Sequence, residues 1–91
     1  MSLNSSIKNF MHNILHDSVD VLATFSDRKV KPLHMRWNDR NYTIKNVNLV
    51  HTAREGRKKI FYFSVSDIAN FFKLKLDSET LEWHLVEVYS S

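Results

Sequence analysis

The fold is indicated by residues 60–76, which read IFYFSVSDIANFFKLKL. Apolar side chains recur at every second position on both sides of a turn predicted over residues 66–70. They are Phe61, Phe63 and Val65 before the turn and Phe72, Leu74 and Leu76 after it. An alternation with a period of two places these side chains on one face of a β-strand. The stretch therefore predicts two antiparallel strands joined by a turn.

The same alternation continues outward from this stretch in both directions. It covers residues 19–25, 33–37 and 42–44 upstream and begins again at residue 83 downstream. Short polar connections, such as residues 38–41, separate these segments and favour hairpins. The apolar phase slips by one residue near Lys45 and again after Leu85, as a β-bulge requires. We therefore predict a five- or six-stranded antiparallel meander over residues 19–89, curled into a small SH3-like or roll-type barrel.

The first part of the chain has a different period. Residues 5–17 carry apolar side chains at the i, i+3, i+4, i+7 spacing of an amphipathic helix. These side chains are Ile7, Phe10, Met11, Ile14 and Leu15. The predicted fold class is therefore α+β and mostly β, with this helix packed on its own barrel. The alternative is that the helix stripe forms a dimer contact with a second copy.

Length and composition place the chain in a broad class. It has 91 residues, which predicts one domain over residues 1–91. It contains no cysteine, so disulfides, thiolate metal sites and cysteine nucleophiles are excluded. No apolar run approaches the about 20 residues that a membrane-spanning helix needs. We therefore expect a cytoplasmic protein without a membrane partner.

The pattern from Pro32 to Tyr89 resembles a small bacterial domain of unknown function. That domain occurs beside, or at the end of, Y-family DNA-repair polymerase-like proteins. The matching residues are Pro32, Trp37, Arg40-Asn41-Tyr42, Ile44, Val47, Tyr62-Phe63, Leu74-x2-Asp77 and Trp83-x-Leu85-x2-Val88-Tyr89. The resemblance implies a β-rich fold and, by association, a DNA-repair setting. It implies no catalytic residue.

No residue pattern indicates an enzyme, a metal site or a cofactor. His12 and His16 have a metal-ligand spacing on the predicted helix, but they face away from its apolar stripe and predict a solvated surface. The single glycine, Gly56, excludes a glycine-rich phosphate loop. Trp37 and Trp83 are in phase with apolar neighbours, so we predict that both lie in the core and that each indole N–H has a partner there. We expect no catalytic residue, no bound metal and no cofactor.

The charge is concentrated in the middle third of the chain. Residues 28–59 contain ten lysines and arginines against two acids, a net charge of +8, whereas the whole chain carries +3. Such a block favours contact with phosphate groups. The candidate nucleic-acid-binding residues are Arg36, Arg40, Lys45, Arg54, Arg57, Lys58, Lys59 and, for base stacking, Tyr62.

Three readings of the function remain open at this point. The first is a non-enzymatic accessory module that binds DNA or RNA through the basic hairpin around residues 52–59. The second is a protein-interaction or homodimerisation module that uses a sheet edge or the N-terminal helix. The third is a small-molecule-binding barrel or enzyme, which would need a deep pocket with convergent polar groups. For the basic hairpin itself, the alternative to a binding surface is a solvated loop that keeps the protein soluble.

Overall fold

The computed structural model describes residues 11–90, and every regular element in that range is a β-strand. There is accordingly no helix between residues 11 and 90 with the length and apolar character needed to cross a bilayer. The seven strands are β1 (Met11–Ser26), β2 (Lys29–Trp37), β3 (Arg40–Thr43), β4 (Asn46–Glu55), β5 (Lys58–Ser66), β6 (Asn70–Asp77) and β7 (Trp83–Ser90).

The strands form one antiparallel sheet in the order β3-β2-β1-β7-β6-β5-β4. It consists of two meanders, β1 to β3 and β4 to β7, in which consecutive strands are neighbours. The meanders join where the first and last strands pair, from Met11 opposite Ser90 to Val19 opposite Trp83. The two ends of the described chain therefore lie side by side in the middle of the sheet.

Strand β1 belongs to both halves of the sheet. Its residues up to Val19 pair with β7, and its residues from Asp20 onward pair with β2. The register shifts within both ladders, at residues 14–17 and at 22–23. Bulges of this kind increase the local twist and bend a strand. The bend in β1 therefore turns β2 and β3 away from the plane of the other strands.

The sheet folds over on itself because its two edge strands are joined by a very short link. Only Ile44 and Lys45 separate β3 from β4. Such a link spans at most about 11 Å, whereas the edges of a flat seven-stranded sheet would lie about 29 Å apart. The N–H of Ile44 donates to the carbonyl of Leu33 on β2, and that of Lys45 donates to the carbonyl of Ser66 on β5. The chain thus crosses from one half of the folded sheet to the other within two residues.

The core fills the space between the two halves. Its buried members are Val19, Met35, Phe63, Val65, Phe72, Leu74, Leu76, Trp83, Leu85 and Val88. The ring of Tyr42 on β3 contacts that of Phe72 on β6 at 5.2 Å between centroids, although the two strands are far apart in sheet order. Trp83 is buried, as predicted. Trp37 is half-buried, and its Nε1–H donates to Asp17 Oδ2 at 2.9 Å, so the predicted indole partner exists.

The prediction of an N-terminal helix, and with it the α+β class, is wrong. Residues 11–17 of the predicted 5–17 helix form the start of β1, and residues 5–10 lie outside the described part. Ile14 is 80% exposed, whereas Leu15 packs against the core. Leu15 therefore begins the period-two series that Val19 continues, and the inward position between them is Asp17. A carboxylate at an inward position hid the alternation, because only the tertiary structure supplies its partner, Trp37.

The prediction of a closed five- or six-stranded barrel is also wrong. The sheet has seven strands and is open, since no ladder joins β3 to β4 among residues 11–90. The slip after Leu85 is a bulge in β7, as predicted, because Lys73 pairs with Glu87 and Leu74 with Leu85. The slip near Lys45 has another cause. It marks the crossing from β3 to β4, so a single bent strand was the wrong interpretation there.

Candidate nucleic-acid interface

Two hairpin tips carry the basic residues that the fold brings together. Strands β1 and β2 are joined by Asp27 and Arg28, which both have positive φ, as a type I′ turn requires. Strands β4 and β5 are joined by Gly56 and Arg57, and Gly56 has a φ of 64°. A glycine adopts this left-handed conformation without steric cost. Both tips are tight, so the charged residues beside them sit on regular strands.

The tip of the β1–β2 hairpin faces strands β4 and β5 across an open cavity of about 390 Å³. The cavity results from the folding over of the sheet, since its two walls belong to opposite halves. Its apolar lining consists of Val30, Val50, Phe61 and Phe63, and its charged lining consists of Arg28 and Lys29. The floor is therefore apolar and partly aromatic, and one rim is cationic.

The opposite wall of the cavity, formed by β4 and β5, continues into a second cationic rim. Lys59 lies two residues before Phe61 on the same face of β5, and its Nζ stands 5.2 Å from the centroid of the Phe61 ring. Arg54 is the cross-strand neighbour of Lys59, so the two side chains project from the same face of the sheet. We call the cavity and these two rims the basic cleft. It comprises Arg28, Lys29, Val30, Val50, Arg54, Lys59, Phe61 and Phe63.

The four cations of the basic cleft are not neutralised by acids in the described part of the chain. Within residues 11–90, none of them forms an ion pair. The lysines and arginines that do pair with acids lie elsewhere: Arg36 with Asp39, Lys58 with Asp77, Lys73 with Glu87 and Lys75 with Glu55. The charge of the cleft is therefore available to an anionic partner.

The structure divides the basic residues around the second tip between the two faces of the hairpin. Arg54 and Lys59 belong to the basic cleft, and Arg57 lies exposed in the turn. Lys58 projects from the other face, where its Nζ donates to Asp77 Oδ2 at 3.1 Å. This hydrogen bond raises the pKa of Lys58 above its ordinary value. The ion pair between Lys58 and Asp77 therefore connects β5 to the end of β6.

Tyr62 also lies outside the basic cleft. It projects from the outer face of the sheet, which points away from the core, because it alternates with Phe61 and Phe63 along β5. Its hydroxyl donates to Glu55 Oε2 at 3.3 Å, and its ring stacks on that of His51. The aromatic ring beside the unpaired cations is that of Phe61.

The remaining predicted cations are distant from the basic cleft. Arg36 lies near the far end of β2, seven residues from Lys29, which corresponds to roughly 23 Å along a strand. Arg40 pairs across from Trp37 at the start of β3. Lys45 lies in the link before β4, nine residues from Arg54, or roughly 30 Å along the strand. The structure thus does not bring these three cations to one surface with Arg54 and Lys59.

Sequence reasoning missed Arg28, Lys29 and Phe61 as members of the site. The two cations belong to the basic block, but nothing in the local pattern says that the β1–β2 tip faces β4 and β5. Phe61 shares a face with Phe63 and Val65, as predicted, and the alternation alone places it in the core. It is only half-buried, because the floor of the basic cleft leaves part of it accessible.

The outer face carries a network of polar contacts centred on Glu87. Its carboxylate accepts hydrogen bonds from the His12 ring and the Tyr89 hydroxyl, both at 3.0 Å, and pairs with Lys73 at 3.5 Å. His12 stacks on Tyr89, and His16 stacks on His84. Between residues 11 and 90, no three His, Asp or Glu side chains form a group able to hold a metal ion. The network ties β1, β7 and β6 together.

No family model, curated protein sequence or solved structure matches this chain. The resemblance to the domain found beside Y-family polymerase-like proteins therefore stays a prediction. The basic cleft has to be interpreted from its own chemistry.

Proposed function

We propose that the protein is a non-enzymatic nucleic-acid-binding module that contacts the phosphate backbone through the basic cleft. The observation that carries the proposal is a set of four cations on both rims of an apolar floor, none of which forms an ion pair among residues 11–90. They are Arg28, Lys29, Arg54 and Lys59. The resemblance to a domain associated with DNA-repair polymerases points in the same direction.

The arrangement of the cations suits a polyanionic chain. Arginine binds a phosphate through two parallel hydrogen bonds, and lysine binds it as a point charge. Two rims, each with one arginine and one lysine, allow contact with successive phosphates on both sides of the floor. Four phosphate contacts predict that the logarithm of the affinity falls with the logarithm of salt with a slope of about −3.

The test is a fluorescence-anisotropy titration with labelled single-stranded and duplex DNA and RNA, at low and at physiological salt. The variant Arg54→Glu/Lys59→Glu reverses two cleft charges. The matched control, Arg40→Glu/Lys45→Glu, makes the same change of net charge at exposed positions far from the cleft. We expect the cleft variant to lose at least tenfold in affinity. The salt slope should become shallower by about 1.5 units, which corresponds to the loss of two phosphate contacts. The control should change affinity by a factor of about three or less.

Two results would contradict the proposal. One is the absence of saturable binding by the unmodified protein even at low salt. The other is an equal loss of affinity in the cleft variant and the control, which would mean that net charge alone attracts the nucleic acid.

We also propose a second candidate function on a separate observation, the free edge of β4. This ten-residue strand has no neighbour on one side among residues 11–90, and its Leu49 is 57% exposed. An edge of this length accepts an added strand from a partner or from a second copy. Light scattering tests this. Strand addition would be supported if the molar mass of the unmodified protein rises with concentration and the variant Leu49→Lys keeps the mass of a monomer. A constant monomer mass would exclude the homodimer.

A further inference from the structure

We infer that the basic cleft selects unpaired nucleotides, with one base stacking on the ring of Phe61 at the position now occupied by Lys59 Nζ. The inference rests on the proposed function and deepens it by naming the substrate class, a single strand. It follows from the geometry of three groups: the Phe61 ring, the Lys59 ammonium group and the opposite rim formed by Arg28 and Lys29.

One side of the Phe61 ring packs against the core, and the other side is accessible from the basic cleft. The centroid of the ring lies 6.4 Å from that of Phe63 at an angle of 29° between the rings. Lys59 Nζ lies 5.2 Å from the centroid of the Phe61 ring, which also lines the cavity. A group that a flexible lysine covers is accessible to a ligand, because the side chain moves away by rotation about its own bonds.

A base binds this ring more strongly than the lysine does. A cation over an exposed aromatic ring contributes roughly two- to fivefold to an equilibrium. A base stacked on an aromatic side chain contributes roughly fivefold to hundredfold in affinity. The displaced Lys59 ammonium group is then free to pair with the phosphate next to the stacked base. The exchange therefore replaces one weak contact with a base stack and a phosphate contact.

The same geometry disfavours a duplex. The faces of paired bases are covered by their neighbours in the helix, so a duplex has no base to place on Phe61. In a single strand the backbone is flexible, and its phosphates can reach Arg28 on one rim and Arg54 on the other while a base enters between them. We therefore expect the cleft to hold single-stranded DNA or RNA more tightly than a duplex of the same sequence.

The experiment compares four probes of the same label at physiological salt. They are a single-stranded oligonucleotide, an oligonucleotide of equal length with abasic sugars throughout, the corresponding duplex, and a polyglutamate peptide of equal charge. We expect the abasic strand and the duplex to bind about tenfold more weakly than the intact strand. Run with both DNA and RNA sugars, the same comparison shows which of them the cleft prefers.

The protein variant that isolates the stack is Phe61→Leu, with Phe71→Leu as the matched control. Phe71 is 57% exposed on the outer face, away from the cleft. We expect Phe61→Leu to lose the preference for the intact strand over the abasic strand and to keep its affinity for the abasic strand. Phe71→Leu should keep both. A variant that fails to fold would lose both affinities, so a selective loss cannot come from misfolding.

The outcomes separate the inference from the function on which it rests. Equal binding of the intact and the abasic strand would overturn the stacking inference and leave the charge-based proposal standing. Equal or tighter binding of polyglutamate would overturn both in favour of an acidic protein partner. No binding of any probe would overturn the proposed function itself.

Discussion

Arg28 has an unfavourable backbone conformation for its residue type. Its φ is 63°, in the left-handed region that costs an L-residue about 1–2 kcal/mol. Asp27 before it has a φ of 50°, but aspartate tolerates this region better than arginine does. Glycine would suit the position of Arg28 better, so the turn does not account for an arginine there. The proposed role of its charge in the basic cleft would account for it.

The variant Arg28→Gly separates stability from binding. We expect it to raise the free energy of unfolding by about 0.5–1 kcal/mol, because glycine adopts the left-handed region freely. We expect it also to weaken nucleic-acid binding several-fold, because one rim cation is lost. Urea unfolding and the anisotropy titration measure the two effects.

The neighbouring variant Asp27→Gly is the control, since it changes the same turn and removes an acid instead of a base. It should stabilise the protein less than Arg28→Gly and should leave nucleic-acid affinity unchanged or raise it. A parallel loss of affinity in both variants would show that the shape of the turn, and not the charge of Arg28, matters for binding.

At the scale of the element, β1 determines how the sheet folds over. It is the longest strand, with 16 residues, and it changes partner from β7 to β2 between Val19 and Asp20. The bulges on both sides of this point allow the bend. The inward-facing Asp17 accepts the hydrogen bond of Trp37 there, which holds β1 to the end of β2. The polar, inward-facing Asp17 thus stabilises the bend in β1.

A pair of lysine substitutions tests that residues 11–17 form a strand. Ile14 points outward opposite Glu87, so Ile14→Lys should change the free energy of unfolding by at most about 0.5 kcal/mol. Leu15 packs against the core, so Leu15→Lys should cost about 2 kcal/mol or more.

The two variants make the same change of charge at adjacent positions, and each is the control for the other. In an amphipathic helix both positions would lie on the apolar stripe and both variants would be destabilising. Similar unfolding midpoints in urea for the two variants would therefore contradict the strand.

At the scale of the whole molecule, three carboxylates link the strands of the outer face. A hydrogen bond from Lys75 lowers the pKa of Glu55, and the backbone N–H of Glu79 lowers that of Asp77, with help from Lys58. Desolvation raises the pKa of Glu87, but the hydrogen bonds from His12 and Tyr89 and the charge of Lys73 outweigh it and hold the pKa below its ordinary value. All three groups are thus more acidic in the folded protein.

These shifts predict the direction of the pH dependence of stability. A carboxylate whose pKa is lowered by folding stabilises the folded state above its ordinary pKa, 4.5 for Glu and 3.8 for Asp. That contribution is lost as the pH falls through the lowered value. We expect the free energy of unfolding from these groups to be constant from neutral pH to about pH 5 and to decline below it. Urea unfolding across this range measures the decline.

The variant Glu87→Gln, which cannot titrate, is the control. It should show a shallower decline below about pH 5 than the unmodified protein, whatever its stability at neutral pH. An identical decline in the two proteins would contradict the assignment of part of the acid dependence to Glu87.

The candidate site could be predicted from the sequence only in part. Arg54 and Lys59 face each other because a two-residue turn at Gly56 sets the register of a local hairpin, and such a turn can be recognised in the sequence. Proximity in the sequence also predicts that Arg57, Lys58 and Tyr62 lie near Arg54 and Lys59. The alternation along β5, however, places Lys58 and Tyr62 on the other face of the sheet. Arg28 and Lys29 are distant in sequence, and no local pattern connects them with Phe61.

For the fold, local patterns in the sequence predict the strands from residue 19 onward, their turns and the bulge in β7, but not the separation of β3 from β4. Period-two alternation and turn residues depend on neighbours in the chain, so they can be interpreted without the structure. Three features follow from the folded structure alone. Residues 11–17 begin β1, β1 pairs with β7, and the β1–β2 tip faces β4 and β5 across the cavity. Each of these depends on contacts between distant segments, such as the hydrogen bond between Trp37 and Asp17, and tertiary contacts of this kind override local propensity.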